Sequence, residues 1–238
     1  MRCYTDLDKG WEFTGPDGST SSVDVPHTWN ALDGQDGGND YWRGTCTYRR
    51  SFKTPEGFDA SLQAAYLVFD GVNASADVTV NGAELCHHDG GYSTFRVNVT
   101  DVLAEAGASN ELVVAVDNSV NDRVYPQKAD FTFYGGIYRD VKLLTVSSTH
   151  FALEYYGGPG IAVTPKIEDG AADADVEIRT WIEGPEKEIV QVKVRILDAD
   201  GACVASGTGT DVTLMLEGAH RWDGLKDPYL YTAEAELL

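Results

Sequence analysis

Short runs in which apolar and polar residues alternate, each closed by Gly, Asn or Asp, fill the chain from about Ala64 to Val146. Residues 66–69, 77–80, 112–116 and 141–144 carry the pattern and are rich in β-branched or aromatic side chains. A period of two sends successive side chains to opposite faces of a strand, so such runs bury apolar surface by stacking as sheets. About nine strands are expected before residue 148. Asn81-Gly82 lies between two runs and predicts a type I′ hairpin turn, since both residues tolerate positive φ. One helix is expected over residues 101–106, with Thr100 as its cap and Gly107 ending it.

A second set of strands starts near Ser148, at residues 161–163, 175–181, 189–196 and 213–216, separated by turn clusters such as Asp198-Ala199-Asp200-Gly201. Their spacing predicts an immunoglobulin-like sandwich of roughly 90 residues. At 238 residues the chain is long for one core and comfortable for two. The expected fold class is all-β: one sandwich over residues 1–147 and an immunoglobulin-like sandwich over 148–238. The chain stops at residues 233–238 inside an alternating run, so the second module is expected to be truncated before its last strand.

Charge and composition exclude several classes of function. With 18 Lys and Arg against 38 Asp and Glu, the net charge of −20 repels phosphate backbones and anionic headgroups. Neither nucleic acid nor a membrane is an expected partner. No apolar run suits a secretory signal or the roughly 20 residues of a membrane span, so a cytoplasmic location is expected. Cys3, Cys46, Cys86 and Cys203 are far apart and form no CxxC pair, which predicts free, mostly buried thiols. There is no HExxH, GxSxG, P-loop or GxGxxG ahead of a helix. His87 and His88 are adjacent on a strand and face opposite ways, which argues against a shared metal.

Motif context says more. Residues 25–31 (VPHTWNA), 48–52 (YRRSF), 69–76 (FDGVNASA), 80–82 (VNG), 90–92 (GGY) and 130–141 (DFTFYGGIYRDV) together resemble the N-terminal sugar-binding domain of glycoside hydrolase family 2. That family includes β-galactosidases, β-glucuronidases and β-mannosidases. The segment 130–141 is the most specific and resembles the β-galactosidase branch most closely. Residues 222–231 (WDGLKDPYLY) resemble the end of the family's immunoglobulin-like second domain. The resemblance implies a jelly-roll domain, an immunoglobulin-like domain and then a (β/α)8 barrel bearing both catalytic glutamates. No barrel pattern is present here. The chain is therefore expected to be the non-catalytic front of an enzyme that hydrolyses terminal β-glycosidic bonds with retention, and to hold no catalytic residue. Retention needs two carboxyl groups about 5 Å apart. Asn110-Glu111 matches the family's acid/base pair in letters, but it opens an ordinary strand, so Glu111 is read as structural.

Two loops could lean into a pocket formed with such a barrel. Residues 32–42 combine glycine-rich backbone with carboxylates, amides and aromatics, groups that suit hydroxyl bonding and stacking on a sugar face. Asn39, Asp40 and Trp42 are the expected substrate-binding residues there. In the second loop, residues 121–131, the resemblance implies that Asp130 contacts an outer sugar hydroxyl and an alkali cation. The chain itself needs no cofactor, while an alkali cation or magnesium is expected in the full-length enzyme. Arg139-Asp140 is expected to be a structural ion-paired segment, and Trp11, Trp29, Trp181 and Trp222 core or interface residues. The expected partners are a terminal β-galactoside or related sugar, the downstream barrel and a homo-oligomeric copy. A stand-alone carbohydrate-binding module and a purely structural β-sandwich are the competing readings, and calorimetry with sugars separates those two.

Overall fold

A computed structural model describes residues 2–33, 41–126 and 132–238. The chain divides into two compact units, Met1–Ser148 and Thr149–Leu238. Both are built of strands, and a single 3-10 turn, Thr100–Val102, is the helical element among the described residues.

The first unit has twelve strands: β1 (Cys3–Asp6), β2 (Trp11–Thr14), β3 (Thr20–Val23), β4 (Thr45–Lys53), β5 (Gln63–Phe69), β6 (Val72–Asn73), β7 (Ser75–Val80), β8 (Ala83–Asp89), β9 (Phe95–Asn98), β10 (Ser109–Asp117), β11 (Gly136–Ile137) and β12 (Val141–Ser147). They form a four-stranded sheet β1-β12-β5-β9, a six-stranded sheet β3-β2-β4-β10-β7-β8 and the short pair β11-β6. Twelve exceed the expected nine because β6 and β11 have two residues each and β1 and β3 carry little burial, so no alternation announces them. Alternation is clearest in β10, where Leu112, Val114 and Val116 are fully buried and pack with Tyr48, Leu67, Phe69 and Val78 in one core. Each such side chain contributes about 1.5–3 kcal/mol by leaving water. The Asn81-Gly82 turn forms as expected, with φ of 51° and 82° joining β7 to β8.

The expected helix at 101–106 is corrected to the 3-10 turn, which gives way to extended backbone at Leu103. Two polar contacts explain the stop. The Thr100 hydroxyl accepts the Ala65 amide at 3.0 Å and donates to Asn98 Oδ1 at 2.7 Å, so it caps nothing. Buried Asn110 takes the Ala104 amide at 2.8 Å, which a continuing helix would need for itself.

The second unit holds β13 (His150–Phe151), β14 (Ile161–Lys166), β15 (Ala174–Thr180), β16 (Ile182–Glu183), β17 (Val192–Leu197), β18 (Cys203–Thr208), β19 (Asp211–Leu216) and β20 (Thr232–Leu237). Its sheets β14-β15-β19 and β18-β17-β20 enclose a core of Val176, Ile178, Val192, Val194, Ile196, Leu214 and Leu216. The strand expected from residue 189 starts at Val192, because the Ile189 and Val190 amides both turn back to the Glu186 carbonyl. The alternating run at the end of the sequence is β20, which pairs with β17 from Val192↔Leu237 to Leu197↔Thr232.

All four cysteines are free, as expected, but Cys3 and Cys203 are exposed, which corrects the reading of mostly buried thiols. Burial pushes the Cys46 thiol up to about 12, leaving almost no reactive thiolate at neutral pH. Labelling with a maleimide should modify Cys3 and Cys203 in the folded chain and reach Cys46 only on unfolding, as read by mass spectrometry of peptides. Trp11 is a core residue, its indole N–H donating to the Leu7 carbonyl at 2.8 Å. Trp222 is 65% exposed, so for that residue a core position is corrected.

Candidate functional site

One end of the first unit carries an aromatic cleft of about 540 Å³, with Thr28, Asn73, Tyr92, Phe133, Tyr134 and Tyr138 among its lining residues. That volume lies within the range of small-molecule sites. Tyr92 and Tyr134 are 58% and 37% exposed. Their rings offer flat apolar faces with a polar tip, the chemistry that suits the C–H face and hydroxyls of a sugar ring.

Local bonds fix the walls. Asn73 Nδ2 donates to the Tyr134 carbonyl at 2.6 Å, and the Tyr138 hydroxyl donates to the Gly91 carbonyl. Arg139 lies over the Tyr138 ring, 5.3 Å from its centroid, and Nη1 donates to the carbonyls of Asp70 and Tyr92 at 3.2 Å each. Its partners are thus carbonyls and a ring, which corrects the expected ion pair; the neighbouring Asp140 pairs with Lys142 at 3.1 Å instead. Beneath the cleft the backbone passes so close to Trp29 that a Cβ at Gly135 would lie 2.0 Å from the indole ring. At Gly136, with φ of +136°, a Cβ would lie 2.3 Å from the His27 carbonyl oxygen. The Gly-Gly pair is required there by approach and by backbone conformation.

Trp42 stands 37% exposed, its ring edge-on to Trp29 at 6.1 Å. Asp33 Oδ2 accepts from the Trp42 amide at 3.0 Å and from Asn30 Nδ2 at 2.8 Å. Asn30 is fully buried, and its Oδ1 accepts from the Gly135 amide at 2.7 Å and from Asn118 Nδ2 at 3.1 Å. The segments around Asp33, Trp42 and Gly135 therefore meet at one pair of amides.

His27 sits behind this wall with Nδ1 2.7 Å from the Tyr48 hydroxyl. Burial holds His27 below the ordinary imidazole range, and burial does the same to His88, whose ring stacks on Phe95 at 4.0 Å. His87 faces the other way as expected, between Asp77 (2.6 Å) and Asp89 (3.2 Å), and its hydrogen bond to Asp77 raises it. The signs oppose. His27 and His88 contribute stability fully present above pH 6.5 and lost as pH falls through 6.5 toward their folded values. His87 contributes stability present below 6.5 and lost as pH rises through its folded value. Since His87 is exposed and screened, the half-buried pair dominates. Replacing His27 and His88 with Gln should flatten the fall in unfolding midpoint between pH 7 and pH 5; an unchanged slope would count against rings held neutral by partial burial.

Two family models account for most of the sequence: the glycosyl hydrolases family 2 sugar binding domain over residues 35–147, and glycosyl hydrolases family 2 over residues 159–238. This chain belongs to glycoside hydrolase family 2. A β-glucuronidase from Bacteroides fragilis is 32% identical to the family 2 chain over 97% of its length, and a β-galactosidase from Thermoanaerobacter pseudethanolicus is 26% identical over 98%. Among solved structures, an FMN-binding β-glucuronidase from Facaelibacterium prausnitzii L2-6 matches all of the chain with a TM-score of 0.90 at 39% identity. A putative β-galactosidase from Bacteroides fragilis matches with 0.89 at 30%. The chain spans about a third of the length of these relatives, 35% and 31% of the two enzymes and 37% and 39% of the two structures.

Of the residues expected to bind sugar, Trp42 is half-exposed against Trp29 and is not among the residues that line the cleft, while Asn39, Asp40 and Asp130 lie outside the described residues. Among the described residues no group of three or more His, Cys, Asp or Glu could hold a metal ion, and no helix is long and apolar enough to cross a membrane. Glu111 is a strand residue paired with Arg49 at 2.6 Å. The cleft aromatics Tyr92, Tyr134 and Tyr138 were not singled out from sequence. The signal available was their place inside the segments 90–92 and 130–141 that carry the family resemblance.

Proposed function

We propose that this chain is the non-catalytic front of a β-glycosidase, and that its aromatic cleft and the segment holding Trp42 form one wall of a sugar pocket completed by a catalytic barrel. The observation that carries the reading is the exposed Tyr92 and Tyr134 pair in an aromatic cleft, in a chain whose relatives are glycosidases about three times its length. The proposed substrate is a terminal β-glucuronide, in keeping with the names of most of those relatives. A β-galactoside is the second reading, favoured by the Thermoanaerobacter relative and by the likeness of residues 130–141 to that branch. Asp130 is proposed to accept a hydrogen bond from an outer sugar hydroxyl and to coordinate an alkali or magnesium ion through a carboxylate oxygen, because an ionised carboxylate is a strong acceptor and a hard oxygen ligand.

The test is Trp42→Ala in the product of the complete reading frame, assayed on aryl β-glucuronide and aryl β-galactoside. Loss of one stacking face worth about 1.4 kcal/mol raises KM about tenfold. Unchanged KM on the better substrate would remove Trp42 from the pocket wall, and preference for the galactoside would replace the glucuronide assignment.

A further inference from the structure

Two fully or almost fully buried asparagines stand at opposite ends of β10: Asn110, its second residue, and Asn118, directly after its last. Asn118 uses its whole amide. Oδ1 accepts from the Gly44 amide at 2.9 Å, and Nδ2 donates to the Phe133 carbonyl at 2.9 Å and to Asn30 Oδ1 at 3.1 Å. Its backbone carbonyl accepts from Arg43 Nε at 2.7 Å. Asn30 completes the node. Its Oδ1 also takes the Gly135 amide at 2.7 Å, and its Nδ2 donates to Asp33 Oδ2 and to the Trp42 carbonyl, both at 2.8 Å. The node thus joins the segment of Trp42 and Gly44 to that of Phe133 and Gly135.

A carboxamide is the one neutral side chain with two donors and a two-lone-pair acceptor in a plane, so no other residue of this size satisfies these contacts at once. Asn30, Asn118, Phe133 and Gly135 are buried, and an amide left unpaired there loses its full solvation. The two segments accordingly cannot settle independently: a shift of Gly44 or Trp42 is transmitted to Phe133 and Gly135 through a single amide contact.

We infer that Asn30 and Asn118 are positioning residues that lock the chain at Trp42 and Gly44 to the chain from Phe133 to Gly135, so that sugar affinity depends on two amides that never touch sugar. The inference rests on the proposed pocket wall. Asn110 supplies an internal comparison, for it is an equally buried node: it accepts from Ala104 N and Asn81 Nδ2 and donates to Thr54 Oγ1, at the end of β10 away from Trp42.

The kinetic test compares Asn118→Ala with Asn110→Ala in the complete protein. Both lower the unfolding midpoint. Asn118→Ala raises KM for an aryl β-glycoside about tenfold with kcat changed far less, by loss of two or more buried hydrogen bonds to the pocket wall, whereas Asn110→Ala leaves KM in place. A structural role alone moves both variants alike, and equal KM values in the two would overturn the inference. The second arm uses the 238-residue chain and amide exchange by NMR. Gly135 keeps its own acceptor in Asn118→Ala, and Gly44 keeps its own in Asn30→Ala, yet coupling predicts faster exchange at both amides in both variants. Acceleration confined to the directly bonded amide would overturn it. Should Asn118→Ala not fold, Asn30→Asp keeps the volume and the acceptor for Gly135 while opposing the Asp33 carboxylate, and the same amides are read. A wild-type enzyme that cleaves no glycoside would sink the proposed function, and the exchange arm would still decide the coupling.

Discussion

Gly135→Ala is expected to lower the thermal unfolding midpoint of the first unit by on the order of 10 °C. The added methyl carbon would lie 2.0, 2.5 and 2.6 Å from three atoms of the Trp29 ring, well inside contact distance. Trp29 has little room to yield, since it stacks on Phe13 with centroids 6.1 Å apart and meets the Trp42 edge at 6.1 Å. Its indole N–H is buried without an acceptor among the described residues. Overpacking of this kind costs about 1–3 kcal/mol and sometimes more, and backbone displacement would also strain the Gly135 amide bond to Asn30. Gly15→Ala is the control, because its new carbon meets ordinary contacts no nearer than 3.5 Å. Equal midpoints for the two variants would show that the Trp29 wall is soft, and the cleft with it.

Strands were legible in the sequence where one face meets a core and the other meets water, as in β10 and β15. They were hidden where little is buried or the strand is short: β1 is exposed throughout, and β6 and β11 have two residues each. The helix at 101–106 failed for a different reason: its capping hydroxyl and one of its amides are claimed by Ala65 and Asn110, partners 35 and 6 residues away. Local propensity carries no trace of such competition.

The candidate site divides in the same way. Trp42 and the Gly135-Gly136 pair were visible as residue types in a telling context. Asn30 and Asn118 were not, because the bond between them joins residues 88 apart, and an asparagine at the end of a strand reads as a turn residue. Arg139 looked like an ion pair because a carboxylate follows it in sequence. In the fold that carboxylate turns to Lys142, which also takes Asp70 at 2.9 Å, and the guanidinium is left to carbonyls and the Tyr138 ring.

The larger expected effect concerns chemistry. Retaining hydrolysis of a glycoside requires an acid/base and a nucleophile carboxyl about 5 Å apart across the bond. Enzymes of this kind accelerate reactions by at least about a millionfold. In the proposed reading both carboxyl groups belong to a catalytic barrel, and the residues described above supply the wall of the pocket alone. The effect of withholding the barrel is therefore all or nothing. The direct measurement is release of aryl alcohol from an aryl β-glucuronide, with the anomer of the sugar product followed by NMR, for the product of the complete reading frame and for residues 1–238 at equal molar concentration. The account predicts turnover with retention by the former and the buffer rate by the latter. Turnover by the 238 residues alone would contradict it.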